Sequence, residues 1–386
     1  MKRFLSLVLI ICLLSMGACA THIPPSSDTD DTTASASDMT EAPVATTAPP
    51  VDTVVPPETT TPDTDVVVTP SVPEYINPLT GLATTKELVS TRPVAIMLNN
   101  VKISTPQDGI GSADIIYECL AEGGITRLMM LTLDYKSLGV VGSVRSARDY
   151  FIDLALNHDA IFVHAGGSPD AYTEIAERGI ENLDFVNGRN VDPYYYRDEW
   201  RYQNMGSMHS VVTTGDRLAR AFADKKIRTE ISSTYDNPLK FVEFGTEKVP
   251  GGEVANSISI PHSTVQVSSF VYDPEKNVYD HYQFGGDLHI DRLTGEKVST
   301  ANVIVLFCKE NLVPNDPAFR INVETVGSGD GLYLYGGRYI PIKWSKASEN
   351  AAMELTNVDG TPLEINRGKT FISIAATSIK SSITVQ

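Results

Sequence analysis

The apolar positions change character along the chain. Phe4 to Leu14 is an almost unbroken apolar run, and Thr21 to Glu74 carries hardly any large apolar side chain. From Asn77 onward short apolar runs recur with two different periods. "PVAIMLNN" (Pro93–Asn100) and "AIFVH" (Ala160–His164) read as strands, and "ADIIYECLAEGGITRLMMLTLDY" (Ala113–Tyr135) as two strands joined at Gly123-Gly124. Ala147, Tyr150, Phe151, Leu154 and Ala155 follow the i, i+3, i+4, i+7, i+8 spacing of an amphipathic helix. That spacing starts a helix within "GSVRSARDY" (Gly142–Tyr150) and puts Arg145 and Arg148 in its first turn. Ser168-Pro169 offers an N-cap and an N1 proline for a helix through Glu177, and Thr213–Lys225 is a further capped helix.

From about Leu239 the helical period disappears. Alternating runs such as "TANVIVLFCKE" and "GLYLYGGRYIPIKW" are separated by turn signals, which predicts a small antiparallel barrel or sandwich with a structural or binding role. Its polar residues show no catalytic grouping, and "GSGDG" (Gly327–Gly331) reads as a turn. The expected class is α+β: a mixed α/β domain over 76–238 and an all-β domain over 239–386.

The first apolar run follows Lys2 and Arg3, is too short to span a bilayer, and ends in Met16-Gly17-Ala18-Cys19. This resembles a bacterial lipoprotein signal over residues 1–19, in which Cys19 is lipidated (palmitate among its acyl groups), although Met16 departs from the usual leucine. Ordinary secretion with cleavage near Ala18 or Ala20 is the alternative. Both place the mature protein outside the cytoplasm; the lipid would hold it on the extracytoplasmic face of the cell membrane. Residues 20–75 form a Thr/Pro/Asp-rich tether without Lys or Arg. It cannot bury enough apolar surface to offset the entropy of ordering. As a coil it reaches roughly 40 Å, and fully extended at about 3.1 Å per residue well over ~100 Å, a leash that fits work inside a thick wall.

The 386 residues carry a formal net charge of −17 and no basic stripe, which argues against a nucleic-acid partner. Cys119 and Cys308 lie in separate apolar runs and read as two buried thiols, with a disulfide the alternative. No Cys/His spacing suggests a metal site, and nothing calls for a cofactor.

The arginines pose the main question. Cations at a helix start oppose the helix dipole. Two strand–glycine–helix arrangements, one entering at Arg145 and one at Ser168, would put Arg145, His164 and the backbone of Gly166, Gly167 and Ser168 around one pocket that welcomes an anion. Glu118, in "IIYECLA", reads as buried and needs a cationic partner, for which Arg127, Arg145 and Arg148 are candidates. Glu118 or Glu122 would be the catalytic carboxyl group if the pocket is an active site. On one strand they would stand about 13 Å apart at ~3.3 Å per residue, too far for a two-carboxylate glycosidase. The aromatic run "DPYYYRDEWRY" (Asp192–Tyr202) fills its own loop or stacks on sugar rings.

Glu122–Arg127, Gly142–Arg148 and His164–Ser168, with "FVYD", "TANVIVL", "GSGDG" and "IKWSK" beyond them, resemble the YerB-type lipoproteins of Gram-positive bacteria. The resemblance spans nearly everything after the tether and implies the fold and the membrane location. It implies no chemistry, because the family was defined as domains of unknown function. Ser143 stands where the family usually has proline, and His209-Ser210 where it often has His-Asn. The expected function is that of a membrane-anchored lipoprotein acting at the cell wall, cleaving peptidoglycan glycan with a single glutamic acid as a lytic transglycosylase or muramidase. The alternative is a non-catalytic module that binds an anionic wall polymer or an envelope protein.

Overall fold

The computed structural model describes residues 72–186 and 193–386. The signal, Cys19 and the tether up to residue 71 lie outside them, as does Asp192 at the head of the aromatic run.

The longest apolar runs become strands of one sheet. Its members are β1 (Val94–Asn100), β2 (Ile115–Leu120), β3 (Thr126–Thr132), β4 (Ile161–His164), β5 (Asn182–Asp184), β6 (Glu253–Val254), β7 (Asn302–Cys308), β8 (Gly327–Tyr335), β9 (Arg338–Lys346) and β10 (Thr370–Ala376). Their order is β6-β9-β8-β7-β10-β2-β3-β1-β4-β5, with Glu354–Asn357 added on β9. β1, β3, β7 and β10 are buried at every position, which is why they read as continuous apolar runs rather than alternating ones. β2 and β3 form the expected hairpin. Gly123 and Gly124 turn it with φ of 61° and 79°, a region that glycine enters at little cost.

Besides the single turn Lys86–Val89, the α-helices among the described residues are α1 (Asp149–Leu156), α2 (Pro169–Glu177), α3 (Glu199–Met205) and α4 (Gly215–Lys225). Ser168 caps α2 through its side chain with Pro169 in the first turn, and Thr214 caps α4. Tyr150, Phe151 and Leu154 of α1 pack on one sheet face against Met97, Tyr117, Met129 and Leu131. Each such fully buried side chain contributes about 1.5–3 kcal/mol. The opposite face, with Ile96, Leu98, Ile116 and Met130, packs against α4 and a second, six-stranded antiparallel sheet through Ile258, Ile260, Phe270 and Tyr279.

The molecule thus has an N-terminal α/β region followed by β structure, and past Lys225 no α-helix occurs among the described residues. The C-terminal residues do not close into a small antiparallel barrel. β10 runs parallel to both β7 and β2, so it lies between C-terminal and N-terminal strands in one sheet. "GSGDG" is not a turn but the first half of β8, drawn straight by pairing with β9. α1 begins at Asp149, not at Arg145. Ala147 matched the apolar period but lies in the segment before the helix, and the acidic Asp149 takes the first position, where the dipole favours it. Cys119 and Cys308 are buried free thiols.

Candidate functional site

β1, β2 and β4 point the same way, because β1 and β2 each run antiparallel to β3 and β4 is parallel to β1. Their carboxyl ends therefore lie together, the usual place for ligands in open α/β sheets. The segment from Ser143 to Arg148 crosses these ends in extended form. Ser143 O accepts from Asn99 N at 3.0 Å, Arg145 N donates to Met97 O at 2.9 Å, and Ala147 N donates to Gly166 O at 2.9 Å. Arg148, at φ −131° and ψ 147°, is the last residue before α1.

Two guanidinium groups meet one carboxylate here, and a third lies within its field. Arg127 and Arg148 form ion pairs with opposite oxygens of Glu122, and Arg148 Nε also donates to Oε2 at 3.1 Å. Burial alone would raise the pKa of Glu122, but Arg127 and Arg148 outweigh it and hold the group at about 2. Arg127 is only 2 % exposed. Burial first, then repulsion from Arg148, brings its pKa down to about 10. Its Nε and Nη1, and Nε of Arg145, are buried without an acceptor among the described residues. Arg145 is lowered by burial too, with Glu122 acting against the shift, and its Nη1 donates to Met208 O at 3.0 Å.

Glu118 does not join them. Strand alternation sends it to the other sheet face, where Thr126 Oγ1 donates to it at 2.7 Å and Asn100 Nδ2 at 3.2 Å. His262 Nε2 stands 3.6 Å from its second oxygen. Complete burial would raise its pKa, yet His262 foremost, with His281 and Ser268, keeps it below the ordinary range. The C-terminal polar residues do form a group around this point. His281 bonds to Ser268 and to His289 at 2.8 Å, and His289 reaches Gln107 at 3.0 Å. The group is buried throughout, and burial lowers His281 to about 4.

The loop after β4 is a support for the arginine segment. His164 is fully buried, with Nδ1 2.8 Å from Gly166 O and Nε2 3.2 Å from Asn182 Oδ1. Gly166 N donates to Asp184 Oδ1 at 2.9 Å, and Ser168 N to Ala147 O at 3.2 Å. Those two amides are therefore taken, and what Gly166–Ser168 offers the arginine segment is shape: Gly166 and Gly167 are half-exposed beside Ser146 and Ala147. Of the expected residues, Glu122, Arg127, Arg145 and Arg148 come together, Gly166–Ser168 flanks them, and His164 lies behind the loop.

Asn99 was not read from the sequence. It pairs across β1 and β3 with Arg127, and its Nδ2 lies 2.7 Å from His209 Nδ1. Its signal was there: two asparagines end an otherwise apolar strand. In the aromatic run, Trp200 and Tyr196 sit under Arg292 and Arg217 at 4.7 and 4.8 Å from the ring centres. Among the described residues no group of three or more His, Cys, Asp and Glu side chains could hold a metal ion, and no helix is long and apolar enough to cross a membrane.

Residues 79–228 match the family model described as the N-terminal domain of a protein of unknown function (DUF3048), and residues 258–372 match the corresponding C-terminal domain. The chain is 32% identical over 300 residues to "Putative lipoprotein YerB" of Bacillus subtilis (strain 168), covering 77% of this chain and 85% of that protein. The crystal structure of YerB from Bacillus subtilis aligns with a TM-score of 0.68 at 26% identity, over 81% of this chain and 100% of the other.

Proposed function

This chain belongs to the DUF3048 family of YerB-like proteins, and from that premise we propose that it is a lipid-anchored protein of the extracytoplasmic membrane face that binds an anionic group of a cell-wall polymer without cleaving it. The location draws on the name of the Bacillus relative and on the Cys19 signal pattern. The binding draws on one observation: Arg127, Arg145 and Arg148 face a single internal carboxylate, and buried guanidinium N–H groups have no acceptor. An uncompensated buried charge costs several kcal/mol, so an external anion has much to gain there. The planar donors of arginine suit the paired oxygens of carboxylate or phosphate.

Glycan cleavage has less support. A general acid must hold its proton at working pH, usually through a raised pKa. Glu122 is held at about 2 by its arginines, and Glu118 is shut away on the other sheet face. The test is incubation of the full chain with purified sacculi. Co-sedimentation that weakens in Arg145→Ala, with no muropeptides released by mass, is expected. Muropeptide release lost in Glu122→Gln would overturn the reading in favour of an enzyme.

A further inference from the structure

His209 ends the one-turn helix Ser207–His209 and is half-buried. It is tied to the two arginines of this cluster that have unaccepted donors. Through Asn99, 2.7 Å away, it reaches the residue paired with Arg127, and the carbonyl of its neighbour Met208 holds Arg145. Its Nδ1 faces Asn99, and no group among the described residues hydrogen-bonds Nε2. The charges acting on the ring are both positive: Arg145 from the extended segment and Arg201 from α3. Burial first, then these two cations, lowers its pKa, so the imidazole is neutral at neutral pH.

We propose that His209 is the proton-accepting arm of the anion site: an oxyanion bound by Arg127 and Arg145 draws one proton from solvent onto His209, whose Nε2–H then donates to the bound group. The inference rests on the arginine cluster being an anion site. In the neutral ring, Asn99 Nδ2 donates to Nδ1 and the ring proton is on Nε2. The incoming proton goes to Nδ1, and a half-turn of the Asn99 amide presents Oδ1 to accept its hydrogen bond. An amide serves both states because it carries donor and acceptor. The bound anion offsets the two cations, so the ring's pKa is higher in the complex than in the free protein. Affinity then rises as pH falls between the two values, approaching about tenfold per pH unit, and binding takes up protons.

Sulfate is a suitable probe, because it stays fully ionised from about pH 5 to 8, where histidine titrates. Calorimetric titration of the full chain in two buffers of different ionisation enthalpy counts the protons directly. The wild type is expected to take up protons and bind more tightly at lower pH. His209→Gln should still bind, more weakly, with the pH slope and the proton uptake gone. Asp149→Asn should retain both, which separates His209 from a second group that titrates in this range, next in sequence to Arg148. Binding without a pH slope, or a slope that survives in His209→Gln, overturns the inference and leaves the anion site standing. No sulfate binding by the wild type at any pH overturns both.

Discussion

Glu118 and Arg127 stand one register step apart on neighbouring strands, yet their side chains leave opposite faces of the sheet. Cys119 is the residue paired with Arg127, while Glu118 pairs with Leu128. The arginine is therefore answered by Glu122, which lies past the strand end in the hairpin turn, and Glu118 is answered by hydroxyl, amide and imidazole groups on the far side. Two carboxylates four residues apart serve two separate polar centres.

Removing the internal anion should expose the charge imbalance. Glu122→Gln leaves Arg127 and Arg148 without their counterion and is expected to destabilise the protein by up to about 3–5 kcal/mol. Added sulfate should recover part of that loss, since an anion that binds only the folded state stabilises it. Thermal melts with and without sulfate check both effects. The wild type should also lose the Glu122 contribution as pH falls from the ordinary 4.5 toward about 2, because a carboxylate with a lowered folded pKa stabilises only while ionised. A variant that melts like the wild type, with no response to sulfate, would show that the arginines do not depend on an anion.

Asp149 should act in the opposite sense. Burial first, then Asp170, Asp153 and Glu174, raises its pKa from 3.8 to about 6. Its contribution is fully present below 3.8 and is lost as pH rises through 6. Asp149→Asn is therefore expected to stabilise the fold at pH ~7 by about 1–3 kcal/mol and to do little near pH ~4. Denaturant melts at the two pH values decide it, and equal effects at both would contradict the assignment.

Arg145 should be needed for its shape as well as its charge. Arg145→Ala is expected to cut sacculus binding about tenfold or more, equivalent to at least ~1.4 kcal/mol, with a smaller change in melting temperature. Arg145→Lys should fail to restore it, because an ammonium group cannot present the planar fork. Full recovery with lysine, read in the same sedimentation assay, would point to a diffuse charge effect.

Cys19→Ala should leave the chain without lipid, and it should appear in the soluble fraction or as uncleaved precursor. Fractionation with metabolic acyl labelling reads this out. Continued acylation of the variant would refute the anchor.

The two halves should not fold apart. A chain ending at 238 leaves the β2 edge without β10, and a chain starting at 239 leaves β10 without β2. Each fragment is expected to aggregate or to lack a cooperative melt, whereas the intact protein gives a single transition. A soluble 76–238 fragment with a sharp melt would disprove this.

Much of the framework was legible because it is local. The apolar runs of β1, β3, β7 and β10, the glycine turn of the hairpin and the Ser168-Pro169 cap each carry their cause within a few residues. The pairing of Thr370–Ala376 with Ile115–Leu120 has no local signature, so the sharing of one sheet between the two regions was hidden. For the same reason His262, His281 and His289 were not seen as a group, since they meet only when the second sheet packs on the first. The early helix start at Arg145 came from Ala147 falling in phase by chance. The sequence alone points Glu118 toward the arginines because one residue of strand register decides its face, and the strand end at Leu120 cannot be read from residue type alone. Arg127 was recoverable because a charged group inside an apolar run is conspicuous, and Arg145 and Arg148 because two cations just ahead of a helix oppose its dipole.

β10 also sets an order of events during biogenesis. The ribosome, and any export channel that threads the chain N-terminus first, delivers the β2–β3 hairpin long before Thr370–Ala376 emerges. In that interval the β2 edge is a row of unpaired backbone groups beside an apolar face, open to proteases and to other nascent chains. The newborn protein thus depends on a late-emerging strand for protection of its first hairpin. Truncations that remove only the C-terminal residues should be cleared by quality control before they reach any ligand.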